Sequence, residues 1–146
     1  LKPEIVIIGQ NLGHNLTRMN NLSANLKNIG IERVIFTGPS PHWIPSLPTV
    51  LARMLPHVPK RTFLGIDKAV LDLDDKLKTG AINSKNFEYV SLIDFFCDSN
   101  GCLTHYAQDV TASVTSWDYG HLAPIASLQL AKDLLGPIIF TKQETK

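Results

Sequence analysis

The segment Trp117-Asp118-Tyr119-Gly120-His121-Leu122 holds the most reactive pattern in this chain of 146 residues. An Asp three residues before a His, in a turn, can accept the ring Nδ1–H and leave Nε2 free as a general base. The carboxylate then fixes the tautomer and stabilises the imidazolium that forms during reaction. The same D-x-x-H spacing also describes a hydrogen-bonded structural histidine, so the pair gains meaning only from its company. Two other stretches supply that company: Gly9-Gln10-Asn11-Leu12-Gly13-His14-Asn15 and Gly38-Pro39-Ser40-Pro41-His42-Trp43. Both are richer in glycine, proline, amide and imidazole than a connecting turn requires. Asn11 offers a side-chain amide to a developing oxyanion, its plainer reading being a loop-capping amide. Gly9, His14 and His42 are candidates to meet substrate. Trp43 suits either a sugar-stacking face or a packed loop anchor, while His57 and His105 read as surface or turn residues.

These loops need a scaffold, and the apolar periodicity supplies one. Residues 4–9, Glu-Ile-Val-Ile-Ile-Gly, form a short apolar run ending at glycine, which predicts a strand buried on both faces. Leu16, Met19, Leu22, Leu26 and Ile29 recur at helical steps, and Gly30 closes the helix. A second buried strand is expected over 33–37. The prolines between 45 and 59 leave room only for a short helix within 47–55. A helix over 66–77 carries Ala69, Val70, Leu73 and Leu77 on one stripe. Its carboxylates Asp67, Asp72, Asp74 and Asp75 read as a solvated face, because neighbours point in different directions on a helix. A third strand is expected over 87–93 and a last helix over 123–135, with Pro124 in its first turn and Gly136-Pro137 as its stop. Strand and helix alternate throughout, the pattern of an α/β fold with a mostly parallel sheet. In such sheets ligands sit beyond the carboxyl ends of the strands, and both polar loops follow a strand there.

Composition narrows the function. Hydrophobic residues make up 44% and charged residues 18%, too apolar and too weakly charged for a disordered segment. Fourteen Lys plus Arg against thirteen Asp plus Glu leave a net charge of +1, which offers no concentrated positive field for nucleic acid or an anionic membrane. The apolar runs at 5–8 and 137–140 are far below the roughly 20 residues that span a bilayer. No repeat or linker-like shift appears, so one domain is expected. The chain opens at Leu1 on a strand and shows no leader pattern. Either processing has removed a leader, or this is a piece of something longer. The two cysteines, Cys97 and Cys102, are separated by Asp-Ser-Asn-Gly. A short disulfide loop outside the reducing cytosol is the first reading. Two buried thiols are the second, and a zinc site with His105 the third, for which no fourth ligand stands nearby.

Taken together, G-x-N after a buried strand and D-x-x-H before the final helix resemble the SGNH, or GDSL-type, hydrolase superfamily. The nearest resemblance is to the SGNH domain at the C-terminus of bacterial membrane acyltransferases that O-acylate polysaccharide. Lys2-Pro3-Glu4-Ile5-Val6-Ile7-Ile8 leading into G-x-N, Phe96-Cys97 with Cys102 soon after, and His121-Leu122 add to it. It covers about residues 2–136. The resemblance implies a three-layer α/β/α, flavodoxin-like fold. It implies that Asn11 is an oxyanion donor, Asp118 an orienting carboxylate and His121 the base that deprotonates a serine. It also implies an acyl donor, a carbohydrate acceptor, an upstream membrane domain, a periplasmic location and no metal or organic cofactor. One departure matters. The family's nucleophile lies in a G-D-S block upstream of G-x-N, and no G-D-S occurs in this sequence. Ser40 lies between prolines, Ser23 and Ser46 in helical or loop segments, and Ser99 inside the cysteine loop. The chain therefore reads as the C-terminal part of one SGNH domain, expected to be inactive alone and to pair with its missing N-terminal part or with another copy of itself. The remaining readings are a carbohydrate esterase of the same fold and a non-catalytic module that binds carbohydrate or a partner.

Overall fold

The computed structural model describes residues 3–10 and 13–140. In chain order the elements are β1 (Ile5–Gly9), α1 (Leu16–Asn28), β2 (Arg33–Thr37), α2 (Leu47–Ala52), β3 (Arg61–Thr62), α3 (Lys68–Ala81), β4 (Glu88–Val90), α4 (Leu92–Phe96), β5 (Cys97–Asp98), β6 (Gly101–Leu103), α5 (Val110–Ser113), α6 (Pro124–Gln129), a π-helical stretch (Leu130–Leu135) and α7 (Gly136–Phe140). The architecture is mixed α/β, with a parallel sheet and flanking helices. The elements gather into two compact units: the described parts of Leu1–Pro41 with Asp67–Asp94, and of His42–Ile66 with Phe95–Lys146.

In the first unit three parallel strands pair in the order β1-β2-β4, with Val6 opposite Val34 and Phe36 opposite Tyr89. Strand residues alternate between faces. Val34 and Phe36 therefore share one face, where Met19 of α1, Leu77 of α3 and Phe87 complete a buried cluster. Each helix starts at a side-chain cap: Asn15 accepts the Arg18 amide hydrogen and Asp67 that of Ala69, both at 3.0 Å. Gly30, at φ +86°, turns the chain after α1 in a conformation that favours glycine. Central β2 is almost wholly buried, as its continuous apolar run predicts.

Four expectations need correction here. β1 is not buried on both faces. It pairs only with β2 among the described residues, and Ile7 is exposed at this sheet edge. Leu22 and Ile29 also face outward, while the small hydroxyl of Ser23 is fully buried and donates to the Met19 carbonyl. The third strand stops at Val90 because the Ser91 hydroxyl accepts the Asp94 amide hydrogen and starts α4. Asp74 is not solvated: it is fully buried and accepts hydrogen bonds at 2.7 Å from both Tyr89 and Ser91, with Lys78 Nζ 3.3 Å away. Burial first, and the bond to Asp74 second, push the Tyr89 hydroxyl well above its ordinary pKa. Gly38 closes this network. A Cβ there would overlap the Tyr89 hydroxyl and lie 2.7 Å from Asp74 Oδ1.

The second unit holds a small antiparallel sheet in the order β3-β6-β5, which the alternating pattern did not foretell. Cys97 and Cys102 face each other across β5 and β6 and are joined in a disulfide, with Cα atoms 3.9 Å apart. Each sulfur is bonded to the other, so neither is a thiolate for a metal, and the zinc reading falls. His105 is a core residue rather than a surface one, only 7% exposed. Its Nδ1 lies 2.7 Å from the Thr104 hydroxyl, which itself donates to the Pro59 carbonyl. Burial, and secondarily the nearby Lys60, lower the pKa of His105. The last helix does not stop at Gly136. Pro137 has no amide hydrogen to give, and the helix passes through a π-helical stretch in which the Gly136 amide reaches back to the Ala131 carbonyl.

Candidate active site

Asp118 and His121 lie in a tight turn of the second unit. Ser116 and Leu122 form a β-bridge at its base, and the Ser116 hydroxyl lies 3.1 Å from the Asp118 carbonyl and 2.9 Å from that of His121. The turn is also tied to the segment before α2 and to the first residue of that helix. The Trp43 amide donates to the Tyr119 carbonyl at 2.6 Å and the Leu47 amide to the Asp118 carbonyl at 3.0 Å. Gly120 permits a close approach by His42: a Cβ there would lie 2.5 Å from the ring carbon Cδ2. These contacts tie the turn to its neighbours by backbone and packing.

Within the turn, Asp118 uses both oxygens. Oδ1 accepts the amide hydrogens of Gly120 at 2.9 Å and His121 at 2.8 Å, and Oδ2 lies 2.6 Å from His121 Nδ1. Burial works against charge on this carboxyl, but the two amide hydrogens and the His121 ring outweigh it, so its pKa is lowered. A carboxylate accepts only, which assigns the neutral ring's hydrogen to Nδ1 and leaves the lone pair on Nε2. The His121 side chain is 53% exposed, so that lone pair sits on an accessible ring. The arrangement can accept a proton from a hydroxyl and hold the resulting imidazolium beside a carboxylate.

The other expected residues divide. His42 is largely buried, its ring edge-on to that of Tyr119 with centroids 5.5 Å apart. Trp43 is 1% exposed and packs with Leu47, Leu51 and Cys102. A ring without an open face offers no surface to a sugar, so Trp43 is a loop anchor. In the first unit, Gly9 ends β1 beside a hollow of about 490 Å³ that includes Ile8, Gln10, Gly13 and Arg18 in its lining. His14 lies 3.2 Å from the Thr37 carbonyl at the end of β2, and a carbonyl only accepts, so His14 Nε2 carries the hydrogen. Asn11 lies outside the described residues.

One residue of the site escaped the sequence reading. Trp117 is 60% exposed and its indole stacks on the His121 imidazole, with centroids 5.3 Å apart and planes 17° apart. Its position beside the D-x-x-H pattern was the available signal. Among the described residues, no group of three or more His, Cys, Asp or Glu side chains is placed to hold a metal ion. Nor is any helix among them long and apolar enough to cross a membrane.

No protein-family model matches this sequence, and no curated protein matches it. Among solved structures, it is similar to the periplasmic domain of the lipopolysaccharide acetyltransferase of Salmonella ser. Paratyphi A, with a TM-score of 0.78 and 24% sequence identity. The match covers 94% of this chain but 57% of that one, so this chain spans little more than half of the domain it resembles. At that identity the likeness is one of fold alone: nearly all of this chain shares its α/β fold with a part of that domain.

Proposed function

We propose that this chain is the histidine-bearing part of an SGNH-type domain that transfers an acyl group, most simply acetyl, to cell-surface polysaccharide outside the cytoplasm. The observation that carries the reading is the 2.6 Å contact between Asp118 Oδ2 and His121 Nδ1, which leaves Nε2 as an acceptor on an exposed ring. The likeness to a lipopolysaccharide acetyltransferase domain supports the substrate class, and the disulfide suits an oxidising compartment.

In this reading the nucleophile is a serine on the segment upstream of the G-x-N block. His121 Nε2 takes the serine proton as Oγ bonds to the acyl carbon. The proton then passes to the departing group of the donor, leaving an acyl-serine. A sugar hydroxyl next gives its proton to Nε2 and attacks that acyl carbon, and the serine oxygen recovers the proton as it leaves. Asn11 donates its amide to the oxyanion of both tetrahedral intermediates, where one such donor is worth on the order of 10²- to 10³-fold in rate. With water as acceptor the same steps make an esterase. Gly9, His14 and His42 belong to the substrate side of this proposal, and no metal or organic cofactor enters it. The partner is the N-terminal part of the same domain. β1 supports this, because among the described residues it has a strand neighbour on one side only, and its unpaired edge is a ready template for a further strand. The inner-membrane domain that delivers the donor belongs to the same proposal.

The test joins the nucleophile-bearing segment to this chain and measures acetyl transfer to a polysaccharide acceptor and acetyl-ester hydrolysis. His121→Ala and Asn11→Ala should both abolish most turnover, and this chain alone should show none. Full activity in His121→Ala, with loss in His14→Ala or His42→Ala, would assign the base elsewhere. Serine-dependent turnover by this chain alone would refute the missing-nucleophile reading.

A further inference from the structure

His121 is held at three points, and the Asp118 carboxylate accounts for one. Its ring lies edge-on to Tyr119, with centroids 5.4 Å apart and planes 73° apart, and nearly flat against Trp117. The flat contact is built into the turn, since the Trp117 amide donates to the His121 carbonyl at 3.3 Å and keeps the two side chains side by side. On its other side Trp117 borders an apolar groove of about 300 Å³ that Pro48, Leu51, Leu55 and Val114 also line. An indole left 60% exposed contributes less burial than Trp43, which does the work of a core residue in the same unit. What distinguishes Trp117 is the ring on which it rests.

We propose that Trp117 is a positioning residue for the His121 base: its indole face, stacked on the ring, fixes the plane of the imidazole and stabilises the imidazolium formed when Nε2 takes a proton. The inference rests on the reading of His121 as base, but its physics does not. An aromatic face attracts a cation whose centre lies within about 6 Å of the ring centroid, and a flat, delocalised cation can also stack on it. The contact is therefore stronger for charged than for neutral His121, as is the contact with Asp118. The titratable groups around His121 are Asp118, bonded to Nδ1, and Tyr119 at its edge, with His42 behind Tyr119 and Gly120. Of these, Asp118 carries charge near neutral pH and Trp117 adds an uncharged contribution of the same sign.

The experiment is an NMR titration of the His121 ring in this chain, for wild type, Trp117→Ala and Trp117→Phe. Removing the indole should lower the His121 pKa by about 0.4 to 0.7 pH unit, the ordinary size of an exposed cation–π contact. Phe should restore part of the shift, which a purely structural role would not predict. Asp118 amide shifts that match wild type show that the turn survives. An unchanged His121 pKa in Trp117→Ala, or Phe behaving as Ala, would overturn the proposal. In the protein carrying the nucleophile-bearing segment, the acid limb of the rate–pH profile should move down with the ring pKa. If the ring pKa shifts but the rate profile ignores it, Trp117 does position His121 and the assignment of the base is what fails.

Discussion

Asp118→Asn isolates the chemistry of the turn from its shape. In the wild type, Oδ1 is occupied by the amide hydrogens of Gly120 and His121, at 2.9 and 2.8 Å, and Oδ2 takes the imidazole hydrogen at 2.6 Å. An asparagine has one accepting oxygen and one NH2 group. The two backbone hydrogens require the oxygen, so the NH2 is turned toward His121 Nδ1. Two donors cannot share a hydrogen bond, and the ring relieves this by moving its hydrogen to Nε2. A ring protonated at Nε2 has no lone pair there for a serine. Serine proteases lose about 10⁴-fold in rate on the same exchange, and a comparable loss is expected here. The assay is acetyl transfer by the protein with the nucleophile-bearing segment restored, read beside the ring nitrogen shifts of His121 in this chain. The carboxylate also sets a pH dependence. Because the folded pKa of Asp118 lies below the ordinary 3.8, its stabilisation is present above that value and is lost as pH falls through the lower folded value. The stability difference between wild type and Asn should therefore be full at pH 6 and shrink below about pH 4. An Asn variant within about tenfold of wild-type rate, with the hydrogen still on Nδ1, would refute the argument.

Reducing the Cys97–Cys102 disulfide releases a short loop and should cost about 2 kcal/mol in urea melts with and without reductant, the loss falling on the small antiparallel sheet. Gly101→Ala should destabilise that sheet further. Gly101 has φ +119°, and a Cβ would lie 2.6 Å from both the Cα and the amide nitrogen of Thr62, backbone that cannot swing aside. Hydrogen exchange at residues 61–62 and 101–103 reads the effect. Asp74→Ala should lower unfolding stability by about 2–4 kcal/mol, because the hydroxyls of Tyr89 and Ser91 lose their acceptor. An unchanged urea midpoint would show that water replaces the carboxylate there.

Local sequence carried the parts of this protein whose geometry is local. An Asp and a His three residues apart need only a turn to meet, so the Asp118–His121 pair was legible before any fold was known. The apolar run Val34-Ile35-Phe36 of β2 likewise announced a buried strand, whereas the similar run of β1 did not reveal that Ile7 faces outward at the sheet edge, because an apolar run fixes the strand and its neighbours fix the burial. The caps at Asn15 and Asp67 also act within three residues, yet Asp67 reads in sequence as one more carboxylate on a solvated helix face and is recognised as the start of α3 only by its bond to the Ala69 amide.

Tertiary packing decided what depends on distant partners. Arg61 and Thr62 make a strand only because Leu103 and Cys102 arrive beside them, and two residues carry no period of their own. Asp74 looks like any helical carboxylate until Tyr89 and Ser91 close over it. The two tryptophans are chemically identical, yet Trp43 is buried with Leu47, Leu51 and Cys102 while Trp117 lies open against His121. Residue type limits the contacts that a side chain can make. Which of them it does make is settled by chain segments brought from far along the sequence, and that information is spread over the whole chain rather than written at the residue.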